Sequence, residues 1–251
     1  MSYLKHHFYD KRSLTPFKLS RSKIDLYSQC PRCFYLDRKL GIPRPSLPAF
    51  TLNSAVDTLL KKEFDLLRAS GEKHALMKKY HIPAVPFRHP DLDTWRENFK
   101  GAQYLHTKTN FLVTGAIDDL WESDTTPGLL HIVDYKATST EKEISLDDRW
   151  KEGYKKQIEI YQWIFRRNGF KVSDLGYFVF ANAGRNAPKF DGRLQFELSI
   201  IEYRGDDRWV EPALLKIKKL LEHDVIPSAA KICEFCRYRD GLATYKQISI
   251  L

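Results

Sequence analysis

The succession of periodicities along this 251-residue chain predicts an α/β fold, with a mixed central sheet flanked by helices. Two observations carry the prediction. Helical apolar spacing brackets a hairpin-like pair of alternating segments near the middle of the chain, and two more strand-like segments follow a long helical stretch. The composition, 43% hydrophobic and 13% aromatic, can bury one sizeable core and argues against disorder.

Residues 1–17 read as an irregular arm. Ser20 can cap a helix running to about residue 29, with Ile24 and Tyr27 on one face. Pro31 fits the first position of a new helix, which Gly41 would end, and 42–48 is a proline-rich loop. A strong helix covers about 50–69, ending near Gly71. The stretch 72–110 is less regular and holds two short helices around the proline-rich piece 81–90. Residues 111–122 alternate as a strand, 123–128 form a turn and 129–137 a second strand, so a hairpin is expected. A long helix over about 150–168 ends at Gly169. Strands near 175–182 and 193–201 follow, then a last helix over about 208–223 carrying Leu214, Ile217 and Leu221. With no internal repeat, we expect an N-terminal arm over 1–18 and a single domain over 19–251.

The formal net charge is +9, from 41 Lys and Arg against 32 Asp and Glu. Such an excess points to an anionic partner, nucleic acid being the commonest, or to a merely basic surface. No apolar run has the length of a membrane span, and the N-terminus lacks the apolar stretch of a secretory signal. A cytoplasmic location is therefore expected. There is no glycine-rich phosphate loop, so no ATP site is expected. His131 is expected to be packed or exposed rather than catalytic, and Trp121, Trp163 and Phe178 to be core rather than base-stacking platforms.

The central feature is Ile132-Val133-Asp134-Tyr135-Lys136. On a strand, Asp134 and Lys136 share one face and Tyr135 takes the other. The preceding strand carries Gly115-Ala116-Ile117-Asp118, and folding the hairpin about residue 126 sets Asp118 roughly opposite Asp134. Two like charges facing each other are unfavourable unless a divalent cation lies between them. Oxygen ligands of this kind favour Mg²⁺ or Mn²⁺. Lys136 beside the metal can orient an attacking water or stabilise charge developing on a phosphate, which makes a phosphodiester hydrolysis site. The bland alternative is a solvated Asp and Lys at a strand end. Asp119, the competing carboxylate, should face the opposite side.

On the helix after the hairpin, Gln157 and Tyr161 share a face. Lys151, Lys155, Lys156, Arg166 and Arg167 lie on or beside it and either track a nucleic-acid backbone or form a solvated face.

Four cysteines form two C-x-x-C pairs, Cys30/Cys33 and Cys233/Cys236. In a cytosolic chain they read as metal ligands rather than disulfides. If Pro31 opens a helix, Cys30 is its N-cap and Cys33 its third residue, where free N–H groups stabilise thiolates. The spacing favours tetrahedral Zn²⁺, and a metal here would act structurally, clasping the two ends of the chain.

Gly115-x-x-Asp118, Asp134-x-Lys136 and Gln157-x-x-x-Tyr161, in that order, resemble the RecB-like branch of the PD-(D/E)xK nucleases. So do the N-terminal segment Leu19-Ser20 to Cys30-Pro31-Arg32 and the C-terminal Cys233-x-x-Cys236-x-Tyr238. The resemblance implies a restriction-endonuclease-like fold, and relatives that include helicase-nuclease subunits and CRISPR adaptation nucleases. It implies that Asp118, Asp134 and the backbone carbonyl of Tyr135 bind the metal, that Lys136 is catalytic, and that Gln157 and Tyr161 help hold DNA. It also favours a [4Fe–4S] cluster on the four cysteines. This chain departs from the branch in two places. Asp57 stands where many relatives have a metal-binding histidine, and it either binds the metal itself or pairs with Lys61. Cys33 supplies the ligand that relatives take from a third C-terminal cysteine, where this chain has Leu242.

The expectation is thus a Mg²⁺- or Mn²⁺-dependent deoxyribonuclease acting in DNA repair, recombination or foreign-DNA processing. The alternative is a catalytically impaired nucleic-acid-binding subunit that docks a helicase or another DNA-processing nuclease.

Overall fold

The computed structural model describes residues 8–46, 48, 50–148 and 151–248. Its elements, in chain order, are β1 (Phe17–Ser20), α1 (Arg21–Gln29), α2 (Pro31–Arg38), α3 (Thr51–Ser70), α4 (Ala75–Lys79), β2 (Ala84–Pro86), α5 (Leu92–Arg96), β3 (Ala102–His106) and β4 (Phe111–Gly115). They continue with β5 (Asp119–Ser123), β6 (Leu129–Thr138), α6 (Glu152–Arg167), β7 (Lys171–Val172), β8 (Leu175–Ala183), β9 (Phe196–Arg204), α7 (Val210–Glu222) and α8 (Glu234–Ile248). The chain divides into two compact units. One takes residues 1–47, 105–113 and 208–251, and the other takes 48–104 and 114–207.

The larger unit is built on a six-stranded sheet of order β2-β5-β6-β8-β9, with β7 beside β6. The sheet is mixed, as expected: β6 runs antiparallel to β5 and parallel to β8, and β8 runs antiparallel to β9. Helices pack on it, α3 on β6 and β2, α4 on β9, and α6 on β6 and β7. One core gathers Leu60 and Phe64 of α3 with Trp121, Val133, Tyr135 and Tyr177 of the sheet. Phe64 lies 5.4 Å from the Trp121 ring and 5.5 Å from the Tyr135 ring. Each large side chain buried in this way stabilises the fold by about 1.5–3 kcal/mol. Elsewhere Gly176 admits α6 closely, because a Cβ there would come within 2.9 Å of both Ile158 and the Ile132 carbonyl. Gly71 ends α3 in the left-handed conformation, at φ +74°.

The smaller unit holds α1, α2, α7 and α8, and β1 pairs with β4 in a three-stranded sheet of order β1-β4-β3. The expected stripe Leu214, Ile217 and Leu221 is buried on α7. Tyr9, Phe17 and Phe111 form an edge-to-face aromatic cluster. Of the arm over 1–18, residues 1–7 lie outside the described residues, and Phe17 already opens β1.

The structure differs from the sequence reading at several places. The strand expected over 111–122 is broken at 116–118 into β4 and β5, which belong to different sheets. Short strands β2, β3 and β7 lie where no strand was expected, and α8 forms a helix beyond the one expected last. Among the described residues, no helix is long and apolar enough to cross a membrane.

Candidate active site and four-cysteine centre

The β5–β6 register pairs Asp119 with Val133 and Trp121 with His131, which centres the hairpin on residue 126. One step outward stand Asp118 and Asp134. Asp134 is on β6, whereas Asp118 lies in the break before β5. Tertiary hydrogen bonds shape that break: the Ile117 N–H donates to the Trp95 carbonyl at 3.1 Å, and the Tyr161 hydroxyl donates to the Ala116 carbonyl. Arg96 Nε donates to the Asp118 carbonyl at 2.8 Å.

Asp118 Oδ2 accepts the Tyr135 N–H at 2.9 Å, while its Oδ1 is 3.2 Å from Lys61 Nζ. Because Val133 and Tyr135 belong to the core under α3, alternation turns Asp134 and Lys136 to the other side. Asp134 is fully buried and ion-paired with Lys136. The Lys136 ammonium also lies 4.7 Å from the centre of the Tyr154 ring and 3.5 Å from Gln157 Oε1. Gln157 in turn donates to the Tyr161 hydroxyl at 3.3 Å. Gln157 and Tyr161 are thus both buried and bonded inside the site.

On α3, Asp57 accepts from Lys61 at 2.9 Å, the pairing considered above as the alternative to metal binding. Burial and the nearby Asp118 raise the Asp57 pKa above its ordinary value, against the pull of Lys61. Burial disfavours charge on Lys61, but Asp118 and Asp57 outweigh it and raise the Lys61 pKa. Asp119, the competing carboxylate, follows Asp118 as the first residue of β5. It is fully buried and receives hydrogen bonds from Arg68, Arg96, the Tyr135 hydroxyl and the Leu120 N–H.

A family model described as the PD-(D/E)XK nuclease superfamily matches residues 51–240. The chain belongs to the PD-(D/E)XK nuclease superfamily. No curated protein matches it. Membership brings a nuclease-type, phosphodiester-hydrolysing function and a general use of divalent metals in the superfamily. The mixed sheet flanked by helices agrees with the restriction-endonuclease-like fold of these nucleases.

Two residues that contact these carboxylates and Lys136 were not read from the sequence as candidate site members. Lys61 follows Asp57 by one helical turn, and Tyr154 precedes Gln157 by three residues on α6, so both spacings were readable as shared helix faces. The basic residues around α6 are mostly engaged. Lys151 pairs with Asp148 at 2.8 Å, Lys155 with Glu152 at 2.8 Å, and Arg166 with Asp174 and Asp207 at 2.6 and 2.8 Å. Trp121, Trp163 and Phe178 are buried, and buried His131 bonds to the Leu175 carbonyl at 2.8 Å.

The four thiols converge within 4.8 Å of one another. Cys30 is the N-cap of α2 and Cys33 its third residue, behind Pro31. Cys33 Sγ lies 3.5 Å from Cys233 Sγ and 3.6 Å from Cys236 Sγ, and Cys30 Sγ lies 3.8 Å from Cys236 Sγ. Burial raises the Cys30 pKa, but the N–H groups of Ala230 and Cys33 outweigh it and bring the thiol down to about 6. Arg44 adds a cation 3.7 Å from Cys233 Sγ and stacks over Phe235 at 4.5 Å. A buried set of four thiols with one acidified member can hold a metal ion.

Proposed function

We propose that this chain is a metal-dependent deoxyribonuclease of the RecB-like branch, with Asp118, Asp134 and Lys136 at its centre. The observation that carries the reading is the register. The β5–β6 register begins at Asp119 and Val133, which puts Asp118 and Asp134 one residue beyond its end, and Lys136 is ion-paired with Asp134.

The chemistry of the donors suits a Mg²⁺ or Mn²⁺ ion. The donors are carboxylate oxygens, and each already faces a cation, Lys61 at Asp57 and Asp118 and Lys136 at Asp134. Asp118, Asp134 and the Tyr135 carbonyl would hold the ion, with Asp57 as a further oxygen donor. A bound ion supplies Lewis acidity and lowers the pKa of a coordinated water. Lys136, set between Asp134 and the Tyr154 face and touched by Gln157, orients the attacking water and balances charge growing on the phosphate. Gln157 and Tyr161 act through position: one fixes Lys136, and the other fixes the 116 carbonyl beside Asp118. The net charge of +9 favours a polyanionic substrate, and DNA is the one proposed.

For the cysteine centre, we infer a single tetrahedral ion, Zn²⁺, acting structurally. Metal–sulfur bonds of about 2.3 Å in a tetrahedron set sulfurs roughly 3.8 Å apart. The separations of 3.5, 3.6 and 3.8 Å match that spacing. A four-iron cluster spaces its thiolates more widely, so the geometry favours zinc over the cluster implied by resemblance. Metal analysis with a visible spectrum tests this. Bound zinc without the broad absorption near roughly 400 nm is expected, and that absorption with bound iron would refute it.

The nuclease reading is tested with labelled single- and double-stranded DNA and Mn²⁺. The wild type should cleave, and Lys136→Ala should bind DNA yet leave it intact. If both proteins bind DNA and neither cleaves it, the chain is a binding subunit.

A further inference from the structure

Lys61 lies on α3 one turn after Asp57, with its side chain only 21% exposed. Its ammonium contacts two carboxylates at once, Asp57 Oδ2 at 2.9 Å and Asp118 Oδ1 at 3.2 Å. The other Asp118 oxygen is occupied by the Tyr135 N–H at 2.9 Å. Lys61 therefore covers the Asp118 oxygen that is not committed to the backbone. We infer that Lys61 is an internal counter-cation, which a divalent ion must displace from Asp118 and Asp57, and which thereby sets the metal affinity of the site. The inference rests on the reading of Asp118 as a metal ligand and concerns a residue which that reading leaves without a role.

The charges argue in the same direction. Asp57, Asp118 and Asp134 bring three negative charges, against two positive ones from Lys61 and Lys136. With Lys61 neutralised, the group would carry one more net negative charge. At contact distance in a partly buried site, one charge is a strong effect on ion binding. Lys61 is also confined: as part of α3 it cannot leave with the backbone, so only rotation of its side chain can clear the oxygen. A purely structural lysine, tying α3 to the break before β5, makes the opposite forecast. Its removal would loosen Asp118 and weaken metal binding.

The test is Mn²⁺ titration by calorimetry on the full chain, comparing wild type, Lys61→Gln, Lys61→Arg and Asp118→Asn, with thermal melts confirming that each is folded. Lys61→Gln should bind Mn²⁺ at least about tenfold more tightly, while Lys61→Arg, which keeps the charge, should stay within about threefold of wild type. Asp118→Asn should bind more weakly. Unchanged or weaker Mn²⁺ binding by Lys61→Gln, with Asp118→Asn weakened, overturns this inference and leaves the nuclease reading standing. Unchanged binding by Asp118→Asn overturns the ligand assignment itself, and the inference with it. Should Lys61→Gln melt before titration, Lys61→Met, which keeps the aliphatic stem, takes its place with the same expected gain.

Discussion

Replacing Asp119 with alanine removes a fully buried carboxylate that accepts hydrogen bonds from Arg68, Arg96, the Tyr135 hydroxyl and the Leu120 N–H. Arg68 and Arg96 expose only 7% and 8% of their side chains, so water cannot replace the lost acceptor. Removing one partner of a buried ion pair costs about 3–5 kcal/mol. Both guanidinium groups keep Asp65, at 2.7 Å from Arg68 and 2.8 Å from Arg96, which places the loss near the lower end, about 3 kcal/mol. Urea unfolding followed by circular dichroism reads this directly, and in a chain of this size the melting temperature should fall by about 6–12 °C. Below its new melting temperature the variant should keep nuclease activity within about tenfold of wild type, because Arg96 retains its bond to the Asp118 carbonyl. The neighbouring change Asp118→Asn should do the reverse, costing less than about 1 kcal/mol of stability while lowering turnover at least about a hundredfold. A destabilisation by Asp119→Ala below 1 kcal/mol, or an Asp119→Ala protein that is stable and inactive, would refute the assignment of the two carboxylates to opposite tasks.

The remaining predictions follow from particular contacts. Cys236→Ser should release the bound ion and lower the melting temperature, read by metal analysis and by melts with and without chelator; an unchanged melt would show that the thiols hold no structural metal. Burial holds the His131 imidazole below its ordinary 6.5, against the opposing pull of its bond to the Leu175 carbonyl. The unfolded chain therefore takes up that proton first as the pH falls, so stability should drop from pH 6.5 downward to the lowered folded value and stay flat above about 7. His131→Gln should flatten this slope, and an unaltered pH profile would count against it. Gly101 sits at φ +64°, and a Cβ there would come within 2.5 Å of the Gly115 backbone and 2.8 Å of Ala116 N. Gly101→Ala should thus destabilise by about 2–4 kcal/mol, measured by urea unfolding, and a neutral effect would mean that the break before Asp118 can move aside.

How much of this was legible in the sequence depends on how local each cause is. Strand β6 and the side taken by Asp134 and Lys136 follow from period-two alternation, and one well-placed turn sets the β5–β6 register. Helix α3 and its Gly71 stop follow from spacing and a left-handed cap. The break at 116–118 does not, because alternation runs straight through it. It exists because the Trp95 carbonyl and the Tyr161 hydroxyl, both distant in the chain, bond to its backbone. Helix α8 was missed for a related reason: Tyr238 and Leu242 are exposed, so it shows no buried stripe among the described side chains, where Cys236 is buried. Strands β2 and β7, of three and two residues, are too short to announce themselves and exist through pairing. The same division runs through the site. The Asp57–Lys61 pair is local and readable from a four-residue spacing, but the reach of Lys61 to Asp118 is tertiary. A reading confined to the sequence therefore finds the acids, the lysine of the motif and the Asp57–Lys61 pair, and misses the reach of Lys61 to Asp118.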